Sequence, residues 1–444
     1  PKGEYVTYAY IRSGARLDAV VQPKLVVAGN TTLTLDARTT ELVDVKFPGA
    51  VDGWPGADFS FTRRSDKGIF GATLLFFGGF GTFGTAHLGP ELPADQFGGS
   101  LSTQGKRADE ANAFYRFSWQ FSGRIPTGFA RAPKISDLAR VEYDIGQQQP
   151  GKNYYKGMYP FHLKGLSGGR SSSLFTVAGG VRPVEYLTTD SSWQPLVYQL
   201  GPGWFNYEVT QQGPPRAFRP GDQLTERVNY AVFGPSVARE YLGMGRAGDT
   251  LYASVPMLSD NNGGFGSSRV TTAKSVLYRD GVPVSTQDRA GYAYLDVAPA
   301  AADFRLETEL TREFEFSTEI KAAWTFRSGH TDPAAYQALP FTVVRFAPKL
   351  DDNNSVRAGK LLRIPLVVEQ PEGAGTGRIT QLDVEYSFDD GKTWRRAGVV
   401  GTSALIYHPD ANGYASVRAK TKDSNGNTSE VSIIRAYKVT REGM

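Results

Sequence analysis

The side chains that could do chemistry are few and widely spaced. Cysteine is absent from the 444 residues, which removes disulfides, thiolate metal sites, Fe–S clusters and Cys nucleophiles in one step. The four histidines, His87, His162, His330 and His408, each stand alone. None has a second His or a carboxylate at a ligand spacing such as H-x-x-x-H, so all four read as structural. Carboxylates cluster at Glu307/Glu309 and at Glu313/Glu315/Glu319. A glycosidase needs two carboxyls facing each other across a cleft. Here they instead line the solvent side of regular strands, where charge also blunts edge pairing.

Two turns put side-chain oxygens at alternate positions, as calcium prefers. They are Asp260-Asn261-Asn262-Gly263-Gly264 and Asp423-Ser424-Asn425-Gly426-Asn427. Asp260, Asn262, Asp423, Asn425 and Asn427 are therefore the calcium candidates. Neither stretch completes a twelve-residue loop ending in Glu, and Asx and Gly residues also build turns without an ion. No other cofactor is called for, since Walker A and dinucleotide fingerprints are missing. Aromatic groups at Tyr154-Tyr155-Tyr159 and Trp204-Phe205-Tyr207, together with Trp193, offer faces that stack on sugar rings or fill a core.

The elements that must position these groups read as strands. Apolar residues make up 40% and charged residues 21% of the chain, enough for packed cores and too little charge for a disordered polyelectrolyte. Gly at 50 and Pro at 26 supply many turns without a collagen period. A net charge of +4 with no block of Lys and Arg gives no footprint for nucleic acid. No apolar run reaches the roughly 18 residues of a membrane helix. The chain opens Pro1-Lys2-Gly3-Glu4, without an initiator Met or a signal-peptide pattern, as a processed product or fragment would.

Period-two alternation runs through Phe304, Leu306 and Leu310, and again through Phe314, Phe316, Ile320, Ala322, Trp324 and Phe326, predicting a strand pair with one buried face. Leu382, Val384, Tyr386 and Phe388 alternate likewise. Asp389-Asp390-Gly391-Lys392 then turns the chain, with Gly supplying positive φ, and Trp394 opens the return strand. Asp280-Gly281 marks another hairpin. At the start, Glu4–Ile11, Val20–Val27 and Thr31–Leu35 read as three short strands. Helices are predicted only at Ile135–Tyr143 and Ser236–Gly243. The turn Asp351-Asp352-Asn353-Asn354, with Pro340 and Pro348, marks a linker before the last module. Those last hundred residues, with a mid-domain Trp, have the layout of an immunoglobulin or fibronectin III sandwich. The fold class expected is all-β, several β-sandwich modules in series.

Longer segments resemble a known family. Arg227-Val228-Asn229-Tyr230-Ala231-Val232-Phe233-Gly234-Pro235, Ala323-Trp324-Thr325-Phe326-Arg327-Ser328, Val344-Arg345-Phe346-Ala347-Pro348-Lys349-Leu350-Asp351 and Ser387-Phe388-Asp389-Asp390-Gly391-Lys392-Thr393-Trp394 occur in this order. Asn425-Gly426-Asn427-Thr428 and Ile434-Arg435-Ala436-Tyr437 follow. Together they resemble the non-catalytic C-terminal region of large secreted subtilisin-like (S8 family) serine peptidases of actinobacteria. Pro1-Lys2-Gly3-Glu4-Tyr5 is similar to the closing strands of the prealbumin-like module that precedes this region. The resemblance implies an extracellular accessory region whose partner is the catalytic domain of the same precursor, and whose further contacts are protein or polysaccharide substrate. None of the family's Asp/His/Ser triad has a matching position here. Gly401-Thr402-Ser403-Ala404 echoes the nucleophile segment, but Leu405-Ile406-Tyr407-His408 continues as a strand, and the other two triad segments are missing.

The organisation expected is the end of a prealbumin-like module over residues 1–47 and a large β-rich domain over 48–246. A sandwich over 247–335 and an immunoglobulin/fibronectin III-like sandwich over 336–444 complete it. The function expected is accessory and non-catalytic. The alternative is a stand-alone carbohydrate-binding or adhesion protein using Trp193, Trp204 and Tyr207. A third reading, a β-sandwich glycoside hydrolase or lyase, requires convergent carboxylates in the middle domain.

Overall fold

A computed structural model describes residues 1–162, 166, 171–203, 206–237 and 243–442. Among these residues there is no α-helix, only two single-turn 3₁₀ segments, Ala37–Thr39 and Ile135–Asp137, and the chain is all-β. The helix expected over Ile135–Tyr143 is therefore corrected. Its spacing of three, Ile135 to Leu138, is spent on the 3₁₀ turn. Ala139, Val141, Tyr143 and Ile145 then alternate inward along the strand Ala139–Ile145. Most of the Ser236–Gly243 candidate lies outside the described residues. Thr31–Leu35 forms no strand, and the third strand is Glu41–Val45.

The first half of the molecule is three β layers. The middle layer is a seven-stranded sheet whose members include Val51–Ser65, Gly68–Phe77, Phe97–Arg107 and Ala113–Ser122. One of its faces carries Phe59, Phe61 and Leu101, which pack on Ala19, Val21 and Val43 of a five-stranded sheet. That sheet pairs Arg16–Val27 with Phe83–His87 in parallel and Glu41–Val45 with Phe129–Arg131. Hydrogen bonding thus crosses the boundary expected after Phe47. On the other side of the middle layer, Val141, Tyr143 and Leu187 pack on Tyr154, Met158, Trp193 and Val197 of a second five-stranded sheet.

The second half is two sandwiches sharing one sheet. In the last hundred residues, Val343–Phe346, Leu361–Glu369 and Ser403–Tyr407 face Ile379–Ser387, Gly413–Asp423 and Thr428–Thr440. This is the immunoglobulin/fibronectin III arrangement. Before it, Gly243–Ala247, Thr250–Ser254 and Tyr292–Asp296 face Thr272–Arg279, Val282–Gln287, Ala302–Thr311 and Glu319–Ser328. The strand Glu319–Ser328 pairs antiparallel with Thr428–Thr440. That pairing joins the two inner sheets into one of nine strands over a single core containing Leu306, Trp324, Val417 and Ile433. The division expected at Ala335/Tyr336 is bridged by this pairing, and the one at Arg246 falls inside the Gly243–Ala247/Thr250–Ser254 hairpin. Phe314 and Phe316, read as strand residues, sit in the connection between Ala302–Thr311 and Glu319–Ser328.

The expected linker at Asp351–Asn354 is a clamp. Asn354 is fully buried, with φ of 56°. Its Oδ1 accepts from Ala231 N at 2.7 Å and its Nδ2 donates to Gln147 O at 3.0 Å. Tyr230 Oη donates to Asp352 Oδ1 at 2.7 Å, and Arg312 Nη1 donates to buried Gln148 at 3.2 Å. Burial lowers the Arg312 guanidinium to about 9. The two halves therefore meet through hydrogen-bonded polar groups.

Candidate functional site

Along the outward face of the nine-stranded sheet, neighbours in register alternate in sign. Lys274 opposes Glu309, Glu309 opposes Lys321, Lys321 opposes Ser432, Ser432 opposes Arg418 and Arg418 opposes Glu385. The next row runs Val276, Glu307, Ala323, Glu430 and Lys420. Short side chains, Ala323 and Ser432, fall where the two sandwiches join, and long charged ones stand on either side. The result is a groove of about 430 Å³ across the seam, continued by a second hollow of about 640 Å³ past Arg305 and Tyr278 to the Asn425–Asn427 turn.

The walls are ion-paired. Arg305 meets Glu307 at 2.7 Å, Lys321 meets Glu319 at 2.8 Å, Arg418 meets Glu385 at 2.6 Å and Lys420 meets Glu430 at 3.4 Å. The hydrogen bond to Glu319 raises Lys321 above its ordinary value, and the Arg418 bond lowers Glu385. Arg418 also lies over the Trp394 ring at 4.5 Å. Such exposed pairs contribute little stability each and can be exchanged for a ligand's charges at small cost. Of the five carboxylates expected on the solvent side of strands, Glu307, Glu309 and Glu319 lie on this face, whereas Glu313 and Glu315 sit in the connection between Ala302–Thr311 and Glu319–Ser328. Sequence reasoning missed the groove, whose only signal was the pair of small residues in the outward register.

The histidines with described side chains are held by other groups. His408 is fully buried, Nδ1 against Lys360 O at 3.1 Å and Nε2 against Tyr437 Oη at 3.0 Å, and burial lowers its pKa. His87 Nδ1 accepts from Ile125 N at 3.3 Å. His330 Nδ1 meets Asp249 Oδ1 at 2.9 Å, a pair that also engages Arg246. The His162 side chain lies outside the described residues. Ser403 opens the strand Ser403–Tyr407, opposite Pro365.

The two carboxylates among the calcium candidates point their oxygens at N–H donors, and the three Asn side chains donate through Nδ2. Asp423 Oδ1 accepts from the backbone N–H groups of Asn425 and Asn427, both at 2.9 Å. Its Oδ2 accepts from Gly377 N at 3.0 Å and Asn427 Nδ2 at 2.8 Å. Burial works against ionisation there, but these donors hold the carboxyl below its ordinary value. Asp260 accepts from Asn229 N and Asn262 N, and burial raises it to about 6. Asn262 Nδ2 donates to Arg227 O. Both carboxylates tie turns together as Asx motifs do. No group of three or more His, Asp or Glu suited to a metal occurs among the described residues.

Of the aromatic candidates, Trp193 is buried and donates Nε1 to Thr188 O at 2.7 Å, which makes it a core residue. Trp204 and Phe205 lie outside the described residues. Tyr207 is half-buried, 4.8 Å from Tyr198 and 6.1 Å from Tyr155 between ring centroids, and Tyr154 is buried.

A buried polar site escaped the sequence reading altogether. Glu185, fully buried, meets Arg116 at 2.7 Å and Lys156 at 3.2 Å. Burial lowers Lys156 to about 8, and the two cations keep Glu185 below its ordinary value against the pull of burial. Nearby, Asp58 accepts from Ser171 Oγ at 2.5 Å, and burial pushes it up to about 7.

No family model matches the chain, and no curated protein matches it. Among solved structures, the fibronectin(III)-like modules of Clostridium thermocellum CbhA are 14% identical, with 44% of this chain and 85% of that one covered and a TM-score of 0.16. Three N-terminal domains of the bacteriophage RB49 highly immunogenic outer capsid protein (Hoc) are 9% identical. They cover 78% of this chain and 94% of that one, with a TM-score of 0.18.

Proposed function

We propose that the chain is a non-catalytic accessory region of a secreted subtilisin-like serine peptidase, and that it holds extended polypeptide against the groove of the nine-stranded sheet. The single observation that carries the binding half of this reading is the groove itself: shallow, open, floored by small residues and walled by charges of both signs. A strand laid there meets Lys321 and Lys420 with its acidic residues and Glu307 and Glu430 with its basic ones. The peptidase half is supported by the ordered sequence segments from Arg227 to Tyr437.

Two measurements test it. The chain is incubated with casein and with a fluorophosphonate serine probe, and neither turnover nor labelling is expected; either one overturns the non-catalytic assignment. Binding of unfolded casein is then compared with that of the K321E/K420E variant, and a loss of tenfold or more is expected. Equal binding removes the groove from the account.

A second reading rests on Tyr155, Tyr198 and Tyr207, which share one sheet surface and are each partly exposed. Such rings stack on sugars. This reading predicts retention on insoluble polysaccharide, abolished by Y198A/Y207A, and fails if the wild-type chain passes through unretarded.

A further inference from the structure

Among the described residues, the edges of the five-, seven- and nine-stranded sheets are short, charged, bulged or proline-bearing, with one exception. The nine-stranded sheet ends at Val282–Gln287, which contains Pro283, and at the two-residue strand Arg395–Arg396. The second five-stranded sheet ends in Phe175–Val177 and Phe265–Ser268, three and four residues long. The first strand, Gly3–Ser13, carries Glu4 and Arg12 and a bulge between Tyr5 and Thr7. Charge, proline, bulges and shortness are the usual defences against strand addition. The seven-stranded sheet ends on one side at Gln223–Val228, which carries Glu226 and Arg227. On the other it ends at Gly68–Phe77, ten residues paired to Val51–Ser65 without a bulge from Ser65/Gly68 to Gly56/Phe77.

That edge has none of these defences. Residues 68–86 contain no ionisable side chain and no proline. Ile69, Leu75 and Phe77 are 64%, 54% and 85% exposed, and Trp54, beside the Phe77 end, is 82% exposed. An uncharged strand of this length with its N–H and C=O groups turned outward is a template for another strand.

We propose that the occupant is a second copy of this chain, joined by antiparallel pairing of the two Gly68–Phe77 strands about a two-fold axis at Thr73. In antiparallel pairs, opposed residues share a face. A register centred on Thr73 sets Ile69 against Phe77, Gly71 against Leu75, Ala72 against Leu74, and Thr73 against its own copy. Large residues meet small ones at the inner positions, and apolar residues meet apolar ones at the ends. Charge agrees with this choice. Asp66 and Lys67 at one end of each strand fall opposite Phe80 and Gly79 of the other, so no like charges meet. The isologous contact closes on itself and leaves no further edge of this kind.

Because the chain has no cysteine, single-Cys variants report the register directly. Sedimentation velocity of the intact chain from low to high micromolar is expected to show a monomer–dimer equilibrium. The L75K/F77K variant is expected to stay monomeric with an unchanged thermal midpoint. On mild oxidation T73C forms a covalent dimer, whereas I69C and F77C cross-link only when mixed with each other. A wild-type chain that remains monomeric at high micromolar, or an L75K/F77K variant that still dimerises, overturns the proposal. So does efficient self-linking of I69C with none by T73C. Capture of an added extended peptide by monomeric wild-type chain would assign the edge to a different occupant and equally overturn it.

Discussion

On the inward side of the nine-stranded sheet stand Leu277, Leu306, Trp324, Val417 and Val431, while its outward side carries ion pairs in water. Inside its edge strand Gly68–Phe77, the seven-stranded sheet is covered on both faces. One is apolar, with Phe59, Leu101, Tyr115 and Phe117. The other holds Ser60, Ser100, Ser102, Ser118, Arg116 and Glu185, all buried. The first sheet is therefore held chiefly by area removed from water. The second depends in part on partners found across long sequence separations, and a buried polar group without its partner is costly.

The sharpest way to break this contrast is Glu185→Gln, which leaves Arg116 and Lys156 buried without their anion. A loss of about 3–5 kcal/mol is expected, read as an early urea transition confined to the first half. The R116M/K156M/E185L combination is expected to recover most of it. No change to an ion pair on the outward face of the nine-stranded sheet should approach this size. Asn354→Ala, which strips the buried Ala231 N–H and the part-buried Gln147 carbonyl of their partner, is expected to cost about 1–3 kcal/mol for the buried group and less for the other. It should also split one calorimetric transition into two as the halves uncouple.

A pH series sharpens the comparison further. Asp58 and Asp260 have folded-state values raised by burial to about 7 and about 6. The folded chain then holds more protons than the unfolded chain between about pH 4 and pH 7, so stability is greatest at the acid end of that window and falls as pH rises through it. Asp58→Asn should flatten this decline and raise the urea midpoint at pH 8. The smallest effect belongs to the groove: Lys420→Ala, which removes an exposed pair with Glu430, is expected to change stability by no more than about 0.5 kcal/mol. A larger loss there would contradict the division between the sheets.

The same contrast explains what could be read from the chain. Alternation at Phe304–Leu310 and Leu382–Phe388, and the turns at Asp280-Gly281 and Asp389–Lys392, placed strands and hairpins because a half-buried sheet writes its faces into period two. Asp280 and Gly281, with φ of 48° and 82°, adopt the paired positive-φ conformation their types favour. In the first half, buried serines at 60, 100, 102 and 118 carry the signature of a solvated face, so the sheet's second side was invisible. Asn354 looked like a linker residue because Asx residues serve turns and buried clamps equally well. Of the site, the charged positions were legible, but the hollow between them was not. It depends on Ala323 and Ser432 becoming neighbours through a pairing more than a hundred residues apart.

The strand Thr428–Thr440 lies between Glu319–Ser328 and Gly413–Asp423 and also takes Ser355–Arg357 alongside it in parallel. During synthesis, both earlier partners emerge with a vacant lateral position that only this strand fills. Neither sandwich can reach its native sheet while residues beyond about 427 remain inside the ribosome. The second half should thus mature as one late event, after the first half has had time to fold, and a chaperone would meet it still open.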